Sequence, residues 1–414
     1  MKKGILKISA VFCCLCLVCG CGAVITEEKQ GETGQAYREE NIIHNEAVTE
    51  DDKKIEKSPE EGTSSQTENG LPEEGTQQEE SVSEQESTVA PYTLRLGFAG
   101  DMNLDENWAT TGYLNAQENG IYDCIDPALI EELNAFDIFM VNNEFTYSDR
   151  GTPTENKMYT FRAKPERIAV LEELGTDIVL LANNHVFDYG AEAFEDTLFT
   201  LEEAGISYVG AGRNLEEACK PYYFEYEGIR IAYVAATKAE KYKLTPEAGE
   251  DSPGVLRCYE EELFLQVIKE AATEADYVVA SVHFGTEYEN MADDSQRELA
   301  YAMIDAGADA VIGSHAHVIQ GMEFYKEKPI IYNLGNFWFN DKDLYSCVVE
   351  LALLVEGDKV SLTNVKFLPC TQYDCYTRWE QEGDLRTEIL EYAESISFGV
   401  DIDEEGIVTD CGQP

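Results

Sequence analysis

From Tyr92 onward, short apolar runs alternate with amphipathic helical patterns, and this alternation restricts the fold more than any other feature. The runs predicted to be buried strands are residues 93–99, 137–141, 177–182, 277–282, 309–312 and 329–332. Apolar residues at i, i+3 and i+4 spacing predict helices over residues 165–174, 191–204, 260–275 and 295–306. Strands that alternate with helices indicate an α/β domain whose sheets are covered on both faces.

Further strands are predicted over residues 228–235, 346–355 and 359–367. The last two should form an antiparallel pair around the turn at residues 356–358, which reads Glu-Gly-Asp. Residues 91–414 contain no internal repeat and no second linker, so we predict one large two-sheet domain there.

The first 21 residues have the features of a processing segment. Lys2, Lys3 and Lys7 precede an apolar run over residues 8–18, which is too short to span a bilayer comfortably. The ending Val18-Cys19-Gly20-Cys21 resembles the lipobox of bacterial lipoproteins. We therefore expect Cys21 to be lipidated and the protein to be anchored at the extracellular face of the bacterial membrane. A plain secretory signal is the alternative.

Residues 22–90 are predicted to be a disordered acidic tether. They contain 19 Asp or Glu and 5 Lys or Arg, and Tyr37 is their only aromatic residue. A random coil of this length has an end-to-end distance of roughly 45 Å. Such a tether would hold the domain away from an anchored end.

The charge of the chain excludes some partners. With 30 Lys or Arg against 81 Asp or Glu, the formal net charge is -51, which disfavours nucleic acid and anionic headgroups. We expect membrane contact through the lipid anchor only.

Seven of the twelve cysteines lie outside the signal and show no zinc-type spacing. Cys370 and Cys375 are close enough in sequence to form a small disulfide loop, but the odd number indicates no disulfide framework.

Polar side chains follow five of the predicted strands, where sites assemble in open α/β sheets. These strand ends carry four of the five histidines, together with carboxylates and carboxamides: Asp101, Asn142, Asn143, Glu144, Asn183, Asn184, His185, His283, His315 and His317. Imidazoles with carboxylates and no thiolate suit Zn, Fe, Mn or Ni. One carboxylate can bridge two ions, so a dinuclear hydrolytic centre is predicted. His315 and His317 would share a face on a strand, or diverge to two metals in a loop.

Six motifs in this order resemble the capsule synthesis CapA family, the poly-γ-glutamate synthesis proteins. They are residues 100–102 (GDM), 142–144 (NNE), 183–190 (NNHVFDYG), 283–288 (HFGTEY), 313–318 (GSHAHV) and 333–337 (NLGNF). The resemblance covers residues 94–339. That family is related to the calcineurin-like metallophosphatases, so the resemblance implies a metallophosphatase-like four-layer α/β/β/α sandwich with two mixed sheets.

The resemblance also implies roles for individual residues. Asp101 and His317 would bind one divalent ion, Asn184, His283 and His315 a second, and Glu144 would bridge the two. His185 would face the substrate as a proton donor or charge stabiliser. Asp188 is a candidate to orient it, and a surface aspartate in a turn is the alternative for that residue. The implied substrate-binding residues are Asn103, Glu287 and Asn336, and Arg213 is a further candidate for contact with an anionic ligand.

Two departures from the metallophosphatase pattern affect the metal sites. Asn103 stands where those enzymes carry a histidine, so we expect the first metal to have a weaker ligand shell and to be loosely held or absent. Glu144 replaces the usual bridging Asp, so we expect the metals or the bridge to be displaced by the length of one methylene group.

Two functions remain open at this point. In the first, a surface-tethered metal-dependent hydrolase acts on a phosphoester, or on an amide or ester of an anionic envelope polymer. In the second, a non-catalytic factor assists capsule assembly alongside other capsule synthesis proteins, and its metal site is structural or vestigial. The predicted metals are Mn, Fe or Zn in either case.

Overall fold

The computed structural model describes residues 90–239 and 244–412. The predictions for the signal segment, Cys21 and nearly all of the tether therefore lie outside the described residues. In the part of the chain that the structure describes, no helix is long and apolar enough to cross a membrane.

Strands supply most of the regular structure. In chain order they are β1 Tyr92–Met102, β2 Ile138–Asn143, β3 Thr146–Tyr147, β4 Arg162–Ala163, β5 Ile178–Leu180, β6 Ser207–Val209, β7 Ala211–Gly212, β8 Tyr222–Tyr226, β9 Ile229–Thr237, β10 Gly254–Val255, β11 Tyr277–His283, β12 Ala310–Ser314, β13 Ile319–Tyr325, β14 Lys328–Leu334, β15 Asn336–Trp338, β16 Leu344–Glu356, β17 Lys359–Tyr373, β18 Tyr376–Trp379, β19 Val400–Ile402 and β20 Val408–Asp410.

The α-helices are α1 Ala109–Leu114, α2 Pro127–Leu133, α3 Ile168–Glu173, α4 Ala191–Ala204, α5 Leu215–Cys219, α6 Glu262–Glu274, α7 Asp294–Ala306 and α8 Asp384–Ser395. The predicted helices and strands are all confirmed, with ends that differ by a few residues. Helices α1, α2, α5 and α8 were not predicted.

Two large sheets organise the domain, and both are mixed. The first has the strand order β18-β17-β16-β1-β2-β5-β6, with β15 also paired to β1, and β1, β2, β5 and β6 run parallel. The second has the order β13-β14-β12-β11-β9-β8, with parallel pairing from β14 to β9. Strands β16 and β17 form the antiparallel pair predicted around residues 356–358.

The alternation of side chains along the strands explains the layers. On β9, Ile231 and Tyr233 face the layer between the two sheets, whereas Ala232 and Val234 face α6 and α7. Tyr233 meets Phe98 of β1 across the central layer, with ring centroids 6.3 Å apart. Helices α2, α3 and α4 cover the outer face of the first sheet. The expected α/β/β/α sandwich is therefore confirmed.

The seven cysteines in the described part of the chain are all free thiols. The small disulfide loop that the sequence allowed between Cys370 and Cys375 is therefore not formed. Cys370 lies near the end of β17 and is fully buried.

Candidate metal centre

The carboxyl ends of parallel strands from both sheets meet at one place. Asp101 lies near the end of β1, Glu144 directly follows β2, and His283 is the last residue of β11. Glu144 Oε1 lies 3.5 Å from His283 Nε2, so the two sheets contribute to one cluster. All three side chains are fully buried. The fold thus concentrates charge where α/β sheets usually place their sites.

The loop after β12 directs two histidines to different parts of this cluster. Strand β12 ends at Ser314, and His315 and His317 have φ values of +101° and +58°. Such conformations cost of order 1–3 kcal/mol each in residues other than glycine and are typical of functional sites. The His315 ring lies 4.5 Å from the His283 ring, whereas His317 Nδ1 lies 3.1 Å from Asp101 Oδ2. The two imidazoles therefore diverge.

Asp101 is positioned by a close approach between two chain segments. A Cβ atom on Gly100 would lie 1.9 Å from the carbonyl oxygen of Gly335, so only glycine fits there. The Asp101 amide donates to that carbonyl at 2.9 Å. Gly335 has a φ of +68° and is followed by Asn336, whose Oδ1 lies 2.9 Å from His317 Nδ1. These contacts hold Asp101, His317 and Asn336 together.

A turn after β5 supplies Asn184 and His185. The Asn183 Oδ1 atom accepts hydrogen bonds from the backbone amides of His185 at 3.0 Å and Val186 at 2.9 Å. This turn places Asn184 Oδ1 2.8 Å from His283 Nε2. Asn184 and His283 therefore lie together, as the resemblance implied for residues of one metal site.

His185 is oriented by a buried chain of polar groups. Its Nδ1 atom lies 2.7 Å from Asp188 Oδ2, which also accepts from the Phe161 amide at 2.8 Å. Lys157 Nζ lies 2.7 Å from Asp188 Oδ1 and donates to the Asn184 carbonyl. The Phe161 ring packs against the imidazole at 4.4 Å. His185 Nε2 is 4.0 Å from Glu144 Oε1, so this nitrogen faces the cluster.

Two overlapping groups of buried side chains could hold metal ions. Glu144, His283 and His315 form one group, and Asp101, Glu144 and His317 form the other. In each group the potential ligand atoms lie within 4.8 Å of one another. Glu144 belongs to both, which is the position of a bridging ligand.

The polar atoms of the cluster fit divalent cations. Glu144 Oε1 and His315 Nδ1 are buried and have no hydrogen-bond partner among the described residues. Leaving a buried polar group unpaired costs about 1–3 kcal/mol, and more when it is charged. A cation coordinated by these atoms would remove that cost. Oxygen and imidazole donors without thiolates suit Zn, Mn or Fe.

The pKa values of the side chains in the cluster also fit a site for divalent cations. Burial, together with the charges of Asp101 and Glu287, raises the pKa of the Glu144 carboxyl well above its ordinary value. Burial lowers the pKa of His283 to about 3, and it lowers that of His315 well below its ordinary value, so both rings are neutral and keep a lone pair for a ligand. Burial also opposes the charge on His317, but Asp101 outweighs it and raises the pKa of that imidazole.

The other predicted site residues occupy different positions. Asn103 is fully buried, and its Oδ1 accepts from the Asp105 amide at 2.8 Å. Glu287 is exposed and close enough to raise the pKa of Glu144 and His317 by its charge. Arg213, by contrast, pairs with Glu202 at 2.9 Å and Glu217 at 3.6 Å. Among the described residues, none of the contacts of Arg213 is with the cluster.

Three further residues support the cluster, although the sequence assigned them no role in it. Asn142, one of the polar strand-end residues, donates through Nδ2 to Asp101 Oδ1 at 2.7 Å and lies 3.2 Å from Glu144 Oε2. Ser314 Oγ lies 2.8 Å from His283 Nδ1, and Ser314 stands at the end of β12, so the strand-end rule could have included it. Lys157 lies in a loop with no pattern that marks it.

Several curated proteins are similar in sequence to about half of this chain. The chain is 39% identical over 206 residues to the capsule biosynthesis protein CapA of Bacillus anthracis, covering 48% of this chain and 49% of that protein. It is 36% identical over 199 residues to the PGA biosynthesis protein CapA of Bacillus subtilis, covering 48% and 51%. A probable polyglutamine synthesis accessory protein of Mycobacterium tuberculosis is 30% identical over 215 residues, covering 50% and 56%. The chain thus spans about half the length of the curated relatives it matches.

Two solved structures are similar to this chain at low TM-score and low sequence identity. A putative 5'-nucleotidase from Staphylococcus aureus has a TM-score of 0.42 and 17% identity, covering 66% of this chain and 54% of that chain. The NAD nucleotidase of Haemophilus influenzae has a TM-score of 0.39 and 15% identity, covering 74% and 57%.

Residues 95–341 match the model of a protein family, the bacterial capsule synthesis protein family PGA_cap. This segment is more than half of the chain and contains the whole cluster, from Asp101 to Asn336. The expected relationship to CapA proteins is thereby confirmed, and this chain belongs to the PGA_cap family of bacterial capsule synthesis proteins.

Proposed function

We propose that this protein acts in the synthesis or processing of an anionic capsule polymer of the poly-γ-glutamate type, through a metal-dependent hydrolytic site. One observation carries the proposal. Four histidines, an aspartate and a glutamate converge in a buried cluster in which Glu144 belongs to two candidate ligand groups. A purely structural core has no need of unpaired carboxylate and imidazole atoms.

In this proposal, Asp101, Glu144 and His317 would hold one ion, and Glu144, His283, His315 and Asn184 a second. Bound divalent ions would supply Lewis-acid polarisation of a phosphoryl or carbonyl oxygen. The cluster is almost fully buried, so a bond to be cleaved would lie in a site that largely excludes bulk water.

His185 would serve the proton transfer of the same reaction. Because Asp188 lies at its Nδ1, Nε2 is the ring nitrogen left to hand a proton to a leaving group. Hydrolysis adds hydroxide to the acyl or phosphoryl atom and a proton to the leaving oxygen or nitrogen, and Nε2 would deliver that proton. Asp188, itself held by Lys157 and the Phe161 amide, fixes the ring for this role.

The test combines metal analysis of the purified chain with a measurement of its substrate turnover. We expect bound divalent metal, loss of turnover after chelation, and recovery when Mn, Fe or Zn is returned. Nitrophenyl phosphoesters and γ-glutamyl peptides serve as the two substrate classes. Failure of the chain to bind any divalent metal would overturn the proposal.

A second candidate function is a non-catalytic assembly factor that binds the polymer. The observation in its favour is Asn103, whose carboxamide oxygen is committed to the Asp105 amide. The group around Asp101 therefore has fewer ligands than a histidine at position 103 would provide. Metal binding without turnover of either substrate class would favour this function.

We also propose that Cys21 anchors the protein at the outer face of the membrane, on the strength of the lipobox-like ending of the signal. Cys21→Ala should release the protein into the medium or leave its signal uncleaved. Fractionation followed by immunoblotting measures both outcomes, with Cys19→Ala as the matched control that should stay anchored. Membrane retention of a processed Cys21→Ala protein would refute the anchor.

A further inference from the structure

A cavity of about 870 Å³ lies next to the cluster, at the edge formed by β16, β17 and β18 and by α8. Val318 and Ile319, the two residues after His317, form part of its wall. Its size is in the range of small-molecule and oligomer sites. None of the residues assigned above to metal binding or proton transfer lines it. We call it the tyrosine cavity.

Five tyrosines line the tyrosine cavity: Tyr113, Tyr345, Tyr373, Tyr376 and Tyr392. Tyr345 and Tyr392 pack edge to face, with ring centroids 5.3 Å apart, and Tyr373 is 63% exposed. Among the described residues, the hydroxyls of Tyr113, Tyr373 and Tyr376 make no hydrogen bond. The wall therefore offers ring surfaces and unpaired hydroxyls to a ligand.

The charges of the tyrosine cavity disfavour a polyanion. Its charged wall residues are Asp343, Asp374 and Glu380 against Arg378. The carboxylates thus outnumber the single guanidinium. Repulsion of like charges would keep a polymer of free carboxylates out of this cavity.

We propose that the tyrosine cavity binds an uncharged oligosaccharide. Sugar rings have apolar faces that pack on aromatic rings, and their hydroxyls bond to carboxylates, carboxamides and phenols, which are the groups present here. Three carboxylates and several tyrosines suit such a ligand and do not suit a polyanion. The inference goes beyond the proposed hydrolysis, because binding of the sugar requires neither metal nor turnover.

The cavity and the candidate metal centre share one segment of the chain. Val318 and Ile319, which form part of the cavity wall, directly follow His317.

Isothermal titration of the purified chain with chitohexaose, an uncharged hexasaccharide, tests the proposal. Maltohexaose, which lacks acetamido groups, tests whether binding depends on them, and hexa-γ-glutamate is the anionic comparison. We expect at least one hexasaccharide to bind saturably. We expect hexa-γ-glutamate not to bind in the cavity and therefore not to compete with that hexasaccharide. Tyr373→Ala and Tyr376→Ala should each weaken binding at least tenfold.

The matched control is Tyr222→Ala, which removes an exposed tyrosine from β8 in the other sheet and should leave affinity unchanged. Thermal melts of the three variants exclude unfolding as the cause of a loss. Titration after chelation should give the same affinity, so the result is independent of the metal centre. The proposal is wrong if neither hexasaccharide binds, if both cavity variants bind as the parent does, or if hexa-γ-glutamate competes at this cavity.

Discussion

His283 has polar neighbours at both ring nitrogens. Its Nδ1 lies 2.8 Å from Ser314 Oγ and 3.3 Å from Asn142 Nδ2, and its Nε2 lies 2.8 Å from Asn184 Oδ1 and 3.5 Å from Glu144 Oε1. A metal ion bound at Nε2, beside these two oxygens, would require the ring proton on Nδ1, where Ser314 Oγ can accept it. A polar partner at the second ring nitrogen is typical of metal-binding histidines.

His283 and His185 should respond differently to substitution. His283→Ala removes an imidazole from a candidate ligand group, so bound metal and melting temperature should fall together. His185→Asn should leave metal content intact and lower any turnover by about 10²-fold or more. Elemental analysis and thermal melts separate the two outcomes. If His185→Asn lost metal as fully as His283→Ala, His185 would be a ligand; unchanged metal in both variants would contradict the metal centre.

Lys157 should contribute to stability through its pair with Asp188. The lysine and aspartate side chains are 5% and 0% exposed, so Lys157→Met leaves a buried carboxylate without its cation. We expect this variant to lose about 3–5 kcal/mol in the free energy of unfolding. Chemical denaturation of Lys157→Met, Asp188→Asn and the double variant measures the coupling. Additive losses in the double variant would show that the pair does not couple.

At the scale of elements, one polar network joins α7 to the strands beneath it. Glu323 of β13 lies 3.0 Å from the Arg297 guanidinium of α7 and accepts from the Tyr332 hydroxyl of β14 at 2.7 Å. Burial raises the pKa of Glu323, but hydrogen bonds from Arg297, Tyr301 and Tyr332 outweigh it, so the pKa lies below the ordinary 4.5. The ionised form is therefore the one that stabilises the fold.

Glu323→Gln should lower the free energy of unfolding by about 1.5–3 kcal/mol at neutral pH, because a charged hydrogen-bond acceptor is lost. The folded-state pKa is depressed, so this contribution is full above pH 4.5 and disappears as the pH falls through the lower folded value. Denaturation curves between pH 3 and 7 measure it, with Glu298→Gln as the control, because Glu298 is an exposed carboxylate on α7, the helix that carries Arg297. A difference from the parent that stays constant with pH would contradict this account.

Helix α8 was missed although its sequence carries a helical pattern. Leu385, Ile389, Tyr392 and Ala393 have the i, i+4, i+7 and i+8 spacing of an amphipathic helix. The helix buries Ile389, Leu390 and Ala393 in the central layer and contacts β13 and β17. These contacts supply the burial that stabilises it.

For the whole molecule, the sequence divides the acidic leading segment from the folded domain. Deleting residues 30–85 should leave the melting temperature of the domain unchanged, because that segment has almost no apolar surface to bury. Differential scanning calorimetry measures the effect, and deletion of Asp384–Ser395, which removes α8, is the comparison that should destabilise. A loss of several degrees on deleting 30–85 would mean that the segment packs on the domain.

The sequence by itself determined the α/β class, most of the longer strands, four of the helices and the polar strand ends, because periodicity and local composition are properties of adjacent residues. It also indicated the histidines as a set. The resemblance also implied that His315 joins His283 and that His317 joins Asp101. Only the tertiary structure shows how the two rings are held apart, through two strained backbone angles and a close approach of Gly100 to Gly335.

Contacts between distant parts of the fold also explain the other differences between the prediction and the structure. Arg213 looked available for an anionic ligand, but the fold places Glu202 beside it, and the two residues are brought together by the packing of separate segments. Lys157 reaches Asp188 from a loop without any pattern, and the tyrosine cavity is assembled from segments more than two hundred residues apart. Contacts of this kind depend on strand order and loop path, which local sequence patterns do not encode.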